Sequence, residues 1–185
     1  MTEQSEITRV LVTEEEIAAK VKELGEAISQ AYAGIDGPLR FVVILKGAAI
    51  FAADLVRAVR IPLTLDFMAI SSYGKQTKSS GVVRILKDLD SSIEGAHVLV
   101  VEDIVDTGLT LKYLMENLKG RGAASVRACV FLDKPQRRKV EVTPDFVGFI
   151  IPDEFVVGYG LDYAERYRNL PYVGALHPRV YQGKE

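Results

Sequence analysis

From His97 to Phe131 the chain reads strand, loop, helix, strand, and that unit restricts the possible folds more than any other stretch. His97-Val98-Leu99-Val100-Val101 is an apolar strand, the pattern Leu109 to Lys119 is helical and stops at Gly120 and Gly122, and Ser125 to Phe131 returns as a strand. A strand, a crossover helix and a second strand predict parallel pairing with a right-handed connection. Phe41-Val42-Val43-Ile44-Leu45 is a similar run without polar alternation, suited to a strand covered on both faces. The expected class is therefore α/β, a parallel-sheet core flanked by helices.

The remaining segments fit around that core. After a strand-like run near Val10-Leu11-Val12, Thr13 and Glu16 make a capping box, and Ile17, Val21, Leu24 and Ile28 recur at helical spacing. The Glu14-Glu15-Glu16 run is then helix-start chemistry and not a metal cluster. Ala48 to Val59 has helical composition, Leu63 to Ile70 alternates like a strand, and another strand is expected near Val82 to Lys87. Between them Ser71 to Gly81 is polar and has no apolar face to bury, which predicts a loop acting as a lid. A chain of 185 residues with no repeat and no long linker predicts one domain over 1–185.

Charge and composition exclude some classes of function. With 25 acidic and 23 basic side chains the formal charge is −2, so nothing prompts a nucleic-acid or membrane surface. No apolar run approaches the roughly 20 residues of a bilayer span, and Met1 to Glu6 lacks the character of a secretory signal, so a cytoplasmic setting is expected. The lone Cys129 lies in an apolar run and reads as a buried thiol. His97 and His177 have no partner at metal-ligand spacing and read as structural.

The chemistry concentrates where the strand ending at Val101 meets the next helix. Glu102 and Asp103 are expected to emerge from the core at the carboxyl edge of the sheet, where open α/β sheets bind ligands. Two carboxylates there can accept hydrogen bonds from vicinal hydroxyls or attract a divalent cation. Asp106-Thr107-Gly108-Leu109-Thr110 supplies backbone N–H groups, hydroxyls and a glycine at a helix start, a combination suited to a phosphate dianion. The alternative is that Asp106 and Thr107 merely cap the helix, which leaves the acidic pair unexplained.

Val100 to Thr110 resembles the phosphoribosyl-diphosphate motif of type I phosphoribosyltransferases: hydrophobics, two acids, hydrophobics, Asp-Thr-Gly and Thr. Leu45-Lys46-Gly47, Ser72-Tyr73-Gly74, Lys134-Pro135 and Phe155 through Tyr163 fall in the order of the hypoxanthine-guanine branch. The resemblance runs from the first strand to Arg168, and the tail Asn169 to Leu176 is similar to bacterial members. It implies a small hood built from residues 1–12 and 150–185. It also implies transfer of the phosphoribosyl group to a 6-oxopurine such as hypoxanthine or guanine, giving IMP or GMP.

Position by position, the resemblance implies that Glu102 and Asp103 hold the ribose hydroxyls, directly or through Mg2+. Asp106 would move the proton at the purine imidazole nitrogen, and Asp106 to Thr110 would bind the 5′-phosphate, with Leu109 standing where some relatives carry lysine. Lys46 and Gly47 would meet the diphosphate through a strained loop peptide, assisted by Arg168, while Ser72 and Tyr73 belong to the lid. Lys134 would donate to the exocyclic oxygen, Phe155 would stack on the base, the backbone of Val156 would read its edge, and Asp162 would hold a second magnesium. A homodimer or homotetramer is implied as well. The readings left open are a transferase preferring xanthine or a pyrimidine, and a nucleotide-sensing regulatory protein on the same fold.

Overall fold

The computed structural model describes residues 3–72 and 83–182. The capping box forms: Thr13 N–H donates to Glu16 Oε2 at 2.8 Å and Glu16 N–H to Thr13 Oγ1 at 3.3 Å. It starts α1 (Glu14–Ala31), preceded by β1 (Ile7–Val12). Then come β2 (Leu39–Leu45), α2 (Ala49–Ala58), β3 (Thr64–Ser72), β4 (Val83–Lys87) and β5 (His97–Val105). The chain continues through α3 (Leu109–Lys119), β6 (Ser125–Asp133), β7 (Phe146–Ile150), β8 (Val156–Val157), β9 (Val173–Leu176) and α4 (Pro178–Tyr181).

Six strands form one sheet in the order β4-β3-β2-β5-β6-β7, with all neighbours parallel except the antiparallel pair β3 and β4. The expected α/β class is therefore the observed one. Both faces are covered, which explains the runs without polar alternation. Phe41, Val43, Leu99, Val101, Cys129 and Phe131 face the side packed by α1 and α2. Val42, Ile44, Val98, Val100, Ala128 and Val130 face the side packed by Leu111, Leu114 and Leu118 of α3.

From β2 the chain winds outward through β3 and β4, then returns to place β5 on the other flank of β2. The winding direction reverses between β2 and β5, and there the loops after their carboxyl ends part and leave a crevice. A second, antiparallel sheet of β1, β9 and β8 draws together the two ends of the chain. Its Val12, Val156 and Val173 share a core with Phe51 and Phe131 of the main body, so this hood is held by continuous apolar packing.

Two boundaries differ from the sequence reading. Strand β5 continues to Val105 because Glu102 and Ile104 pair with Val130 and Leu132 of β6, so the acidic pair lies inside the strand and not beyond its end. Ser71 and Ser72, expected in the lid, close β3 against Arg84 and Val83. Tyr73 and the rest of the expected lid through residue 81 lie outside the described residues.

Phe131 is fully buried between Phe51, Phe149 and Tyr159, with ring centroids 5.2, 5.8 and 4.9 Å away. Phe131→Ala is expected to lower unfolding free energy by about 3–5 kcal/mol, because the neighbouring rings belong to different elements and cannot collapse into the void. A denaturant titration that shows less than about 1 kcal/mol of loss, a cost usual for a surface position, contradicts this packing.

Candidate active site

The crevice opens into two adjoining cavities of about 450 and 550 Å³. Lys46, Gly47, Glu102, Thr107, Gly108, Thr110 and Arg168 line the first, Lys134, Arg137, Phe155, Val156 and Tyr181 line the second, and Asp103, Ile104, Asp106 and Asp162 border both. Residues from distant parts of the sequence are thus brought to one place. Leu109 lines neither cavity, so its side chain has no part in the pocket.

Glu102 was expected to emerge from the core but is only 6% exposed. Burial, reinforced by the neighbouring Asp103 charge, pushes its carboxyl well above the usual carboxylate range. Burial likewise raises Asp103 to about 6, partly offset by backbone N–H donors, including that of Ile104 at 2.9 Å, and by Arg168. Asp103 is pressed from the facing loop as well. A Cβ added to Gly47 would fall 1.6 Å from Asp103 Oδ2, so only glycine lets this backbone come so close. The peptide bond preceding Lys46 is cis.

Helix α3 begins without a side-chain cap. Its N-cap is Gly108, in the left-handed region at φ 81°, and a Cβ there would meet Val142 Cγ1 at 2.6 Å. Capping is therefore not what Asp106 is for, and Thr107 Oγ1 reaches only the Leu109 N–H, at 3.5 Å. Thr107, Gly108 and Thr110, at the start of α3 where backbone N–H groups lack helical partners, line the first cavity, a placement suited to an anion. Asp106 Oδ1 is buried and accepts no hydrogen bond among the described residues, although the Arg137 Nε stands 3.4 Å away.

A wrap formed by residues 134–142 fixes the Asp106 loop from outside. Lys134 N–H donates to the Val105 carbonyl and Lys139 N–H to the Thr107 carbonyl, both at 2.9 Å. Arg138 Nη1 reaches the carbonyls of Val105 at 3.2 Å and Asp106 at 2.6 Å, while its other nitrogen pairs with the buried Asp133. Lys134 is itself only 6% exposed and donates from Nζ to the Glu154 carbonyl at 2.6 Å. Burial pulls its ammonium below the ordinary lysine range, and Asp106 and Asp153 oppose that shift.

Phe155 is at the mouth of the second cavity, 38% exposed, and stacks on Tyr181 of α4 with centroids 4.8 Å apart. Val156 is buried in β8, paired with Ala175. Arg168 donates to the Gly160 carbonyl at 2.7 Å and pairs with Asp162 at 2.9 Å. Arg137, Arg138, Glu165 and Tyr181 are the site residues that sequence reading missed as contributors. They occur in a polar turn, a loop and a short terminal helix, where no periodicity marks a side chain as turned inward.

Cys129 is fully buried, and its thiol pKa is pushed up by burial. His97 bridges Ser125 Oγ at 2.8 Å and the Asp36 carbonyl at 3.1 Å, far along β5 from the crevice. Among the described residues no group of three or more His, Cys, Asp or Glu side chains could hold a metal by itself, and no helix is long and apolar enough to cross a membrane.

This fold, with its paired acids and open helix start at the switch point, defines a phosphoribosyltransferase, and the family model for the phosphoribosyl transferase domain matches residues 11–164. The hypoxanthine-guanine phosphoribosyltransferase of Bacillus subtilis (strain 168) is 54% identical over 177 residues, covering 96% of this chain and 97% of that protein. That of Mycobacterium avium is 54% identical over 181 residues, covering 96% and 89%. A hypoxanthine phosphoribosyltransferase structure from Staphylococcus aureus superposes with a TM-score of 0.92 at 50% identity over 96% of each chain. The chain belongs to the hypoxanthine-guanine phosphoribosyltransferase family.

The raised carboxyl pKa values of Glu102 and Asp103 make a testable statement about stability. Both groups bind their protons more tightly folded than unfolded, so their contribution is full at low pH and is lost as pH rises, for Asp103 through about 6. In chelator-containing buffer the protein is expected to lose unfolding free energy between pH 4 and 7 from this source, in the range set by the ordinary Asp value near 4 and the shifted one. The double variant Glu102→Gln with Asp103→Asn should flatten that interval in urea titrations. An unchanged slope sinks the argument.

Proposed function

We propose that this chain transfers the phosphoribosyl group of phosphoribosyl diphosphate to hypoxanthine or guanine in purine salvage, giving IMP or GMP and diphosphate. The observation that carries this is the shared border of the two cavities: Asp103, Ile104, Asp106 and Asp162 stand between an acidic, phosphate-type pocket and one with a lysine and an aromatic ring. A sugar carbon held in the first then adjoins a base held in the second, the orientation that turns a bimolecular displacement into a unimolecular one.

In this reading the bond from the anomeric carbon to the diphosphate oxygen breaks, the bond to the purine imidazole nitrogen forms, and Asp106 accepts the proton that nitrogen sheds. Backbone N–H groups of Thr107 to Thr110 hold the 5′-phosphate at the uncapped start of α3. Lys46, the Gly47 peptide and Arg168 take the leaving diphosphate, whose charge grows as the bond breaks. Lys134 has two further ammonium protons for the exocyclic oxygen of a 6-oxopurine, Phe155 supplies a stacking ring, and the Val156 backbone reads the base edge. The lid expected from Tyr73 onward, which would keep water from the activated sugar, lies outside the described residues.

Glu102 is buried and Asp103 partly buried beside it, both with elevated pKa values and neither with an ion-pair partner among the described residues, which fits a site completed by a cation. Magnesium binds through one or two carboxylates together with substrate oxygens, so the lack of a three-ligand cluster also fits. Glu102 and Asp103 would hold one ion with the ribose hydroxyls and Asp162 a second with the diphosphate. Magnesium bound there supplies neutralisation of the diphosphate charge. The same reading includes a cytoplasmic homodimer or homotetramer.

Assaying hypoxanthine, guanine, xanthine, adenine and uracil with phosphoribosyl diphosphate and magnesium separates the possible readings. Turnover of hypoxanthine or guanine is expected. A preference for xanthine moves the assignment within the family, turnover of uracil or adenine alone makes it a transferase for another base, and no turnover of any base leaves a sensing role. Asp106→Asn is expected to lower kcat by about 10²–10⁴ with a smaller change in KM. Lys134→Gln should raise the KM for hypoxanthine about tenfold or more, the worth of a charged hydrogen bond.

A further inference from the structure

The loop from Asp162 to Arg168 has a backbone that L side chains rarely adopt: Ala164, Glu165 and Tyr167 have φ of 52°, 63° and 75°. None is glycine. The conformation is pinned from within, since Glu165 N–H donates to Asp162 Oδ2 at 2.8 Å and Tyr163 and Arg166 exchange backbone hydrogen bonds of 3.3 and 3.1 Å. Its result is a particular placement of one carboxylate. Glu165 Oε2 lies 3.1 Å from Lys46 Nζ and 3.3 Å from Arg168 Nη2, and these are the two cations to which the diphosphate is assigned above.

An ion pair 68% and 65% exposed, as Lys46 and Glu165 are, contributes little to folding, so stability does not account for a glutamate held in left-handed backbone. What the pair does is electrostatic. It joins loops 119 residues apart in sequence and offsets positive charge that an incoming diphosphate would use. Arg168 keeps a second partner in Asp162, whereas Glu165 is the only side chain paired with Lys46 among the described residues. We propose that Glu165 is a resident counter-anion of the diphosphate subsite: it holds Lys46 and Arg168 while the subsite is empty and must be displaced by phosphoribosyl diphosphate or by product diphosphate. The inference rests on the functional reading above and adds a residue that sets affinity for the donor and for the leaving group. In this role Glu165 touches only the cations, and it acts through them.

The test is steady-state kinetics of Glu165→Gln, which removes the charge at constant size, and of Glu165→Gly, which also suits the left-handed backbone. Both are expected to lower the KM for phosphoribosyl diphosphate and the inhibition constant of inorganic diphosphate by about two- to fivefold, the range set by exposed ion pairs. The KM for hypoxanthine should not follow. The difference from the unaltered chain should shrink in about 0.5 M salt, where exposed pairs are screened. A rise in either diphosphate-linked constant, no change in them, or an equal shift in the hypoxanthine KM overturns the proposal, a rise meaning that Glu165 helps to bind the diphosphate. If the unaltered chain turns over no 6-oxopurine, the functional reading alone fails, and calorimetric titration with inorganic diphosphate decides on Glu165 by the same criterion.

Discussion

Two carboxyl groups sit side by side inside a central strand of the sheet, and much of the molecule is arranged around that costly burial. Glu102 is buried in β5 beside Val130 of β6, and Asp103 is pressed by the Gly47 backbone. In the free protein Glu102 escapes the penalty by holding its proton, and Asp103 does so only below about pH 6. Under the proposed function, sugar hydroxyls and a divalent cation would relieve it in another way, by stabilising the ionised forms, so that the burial which costs the empty protein stability would become affinity for the substrate.

The sheet topology explains why such a site can exist. Because the winding reverses between β2 and β5, the loops at Lys46 and Asp106 diverge and leave room above the acids. Asp106 then needs support, since its loop has no cap and an orphaned carboxylate oxygen. The wrap 134–142 supplies it. Arg138 ties the carbonyls of Val105 and Asp106 to the buried Asp133, and the same segment carries Lys134 into the second cavity. One turn therefore positions both Asp106 and Lys134, to which the proposed reaction assigns the proton and the base.

That the residues from Glu102 to Thr110 would come together at the crevice was legible in sequence, because they are contiguous and lie between a strand and a helix start. Their surroundings were less so. Glu102 read as emerging from the core, since a strand boundary was drawn where polar residues begin, but ladder pairing with Val130 and Leu132 carried β5 onward and buried it. Phe155 was legible as a ring for stacking, while Tyr181 lying against it was not, because a lone aromatic in a terminal segment has no pattern to mark it. Glu165 is similar: its placement comes from left-handed backbone and its partner is a lysine 119 residues away.

By itself the sequence determined the α/β class, the helix starts and the strand-helix units, because periodicity and capping are local and a run such as Phe41 to Leu45 has no other economical burial. It also determined the chemical repertoire of the Glu102 to Thr110 segment. Only the tertiary structure decided which carboxylates lose solvent, which cations are already paired, and how two cavities come to share Asp103 and Asp106. Those properties depend on desolvation and on distances between loops far apart in the chain, and residue order fixes neither until the sheet and hood have closed around them.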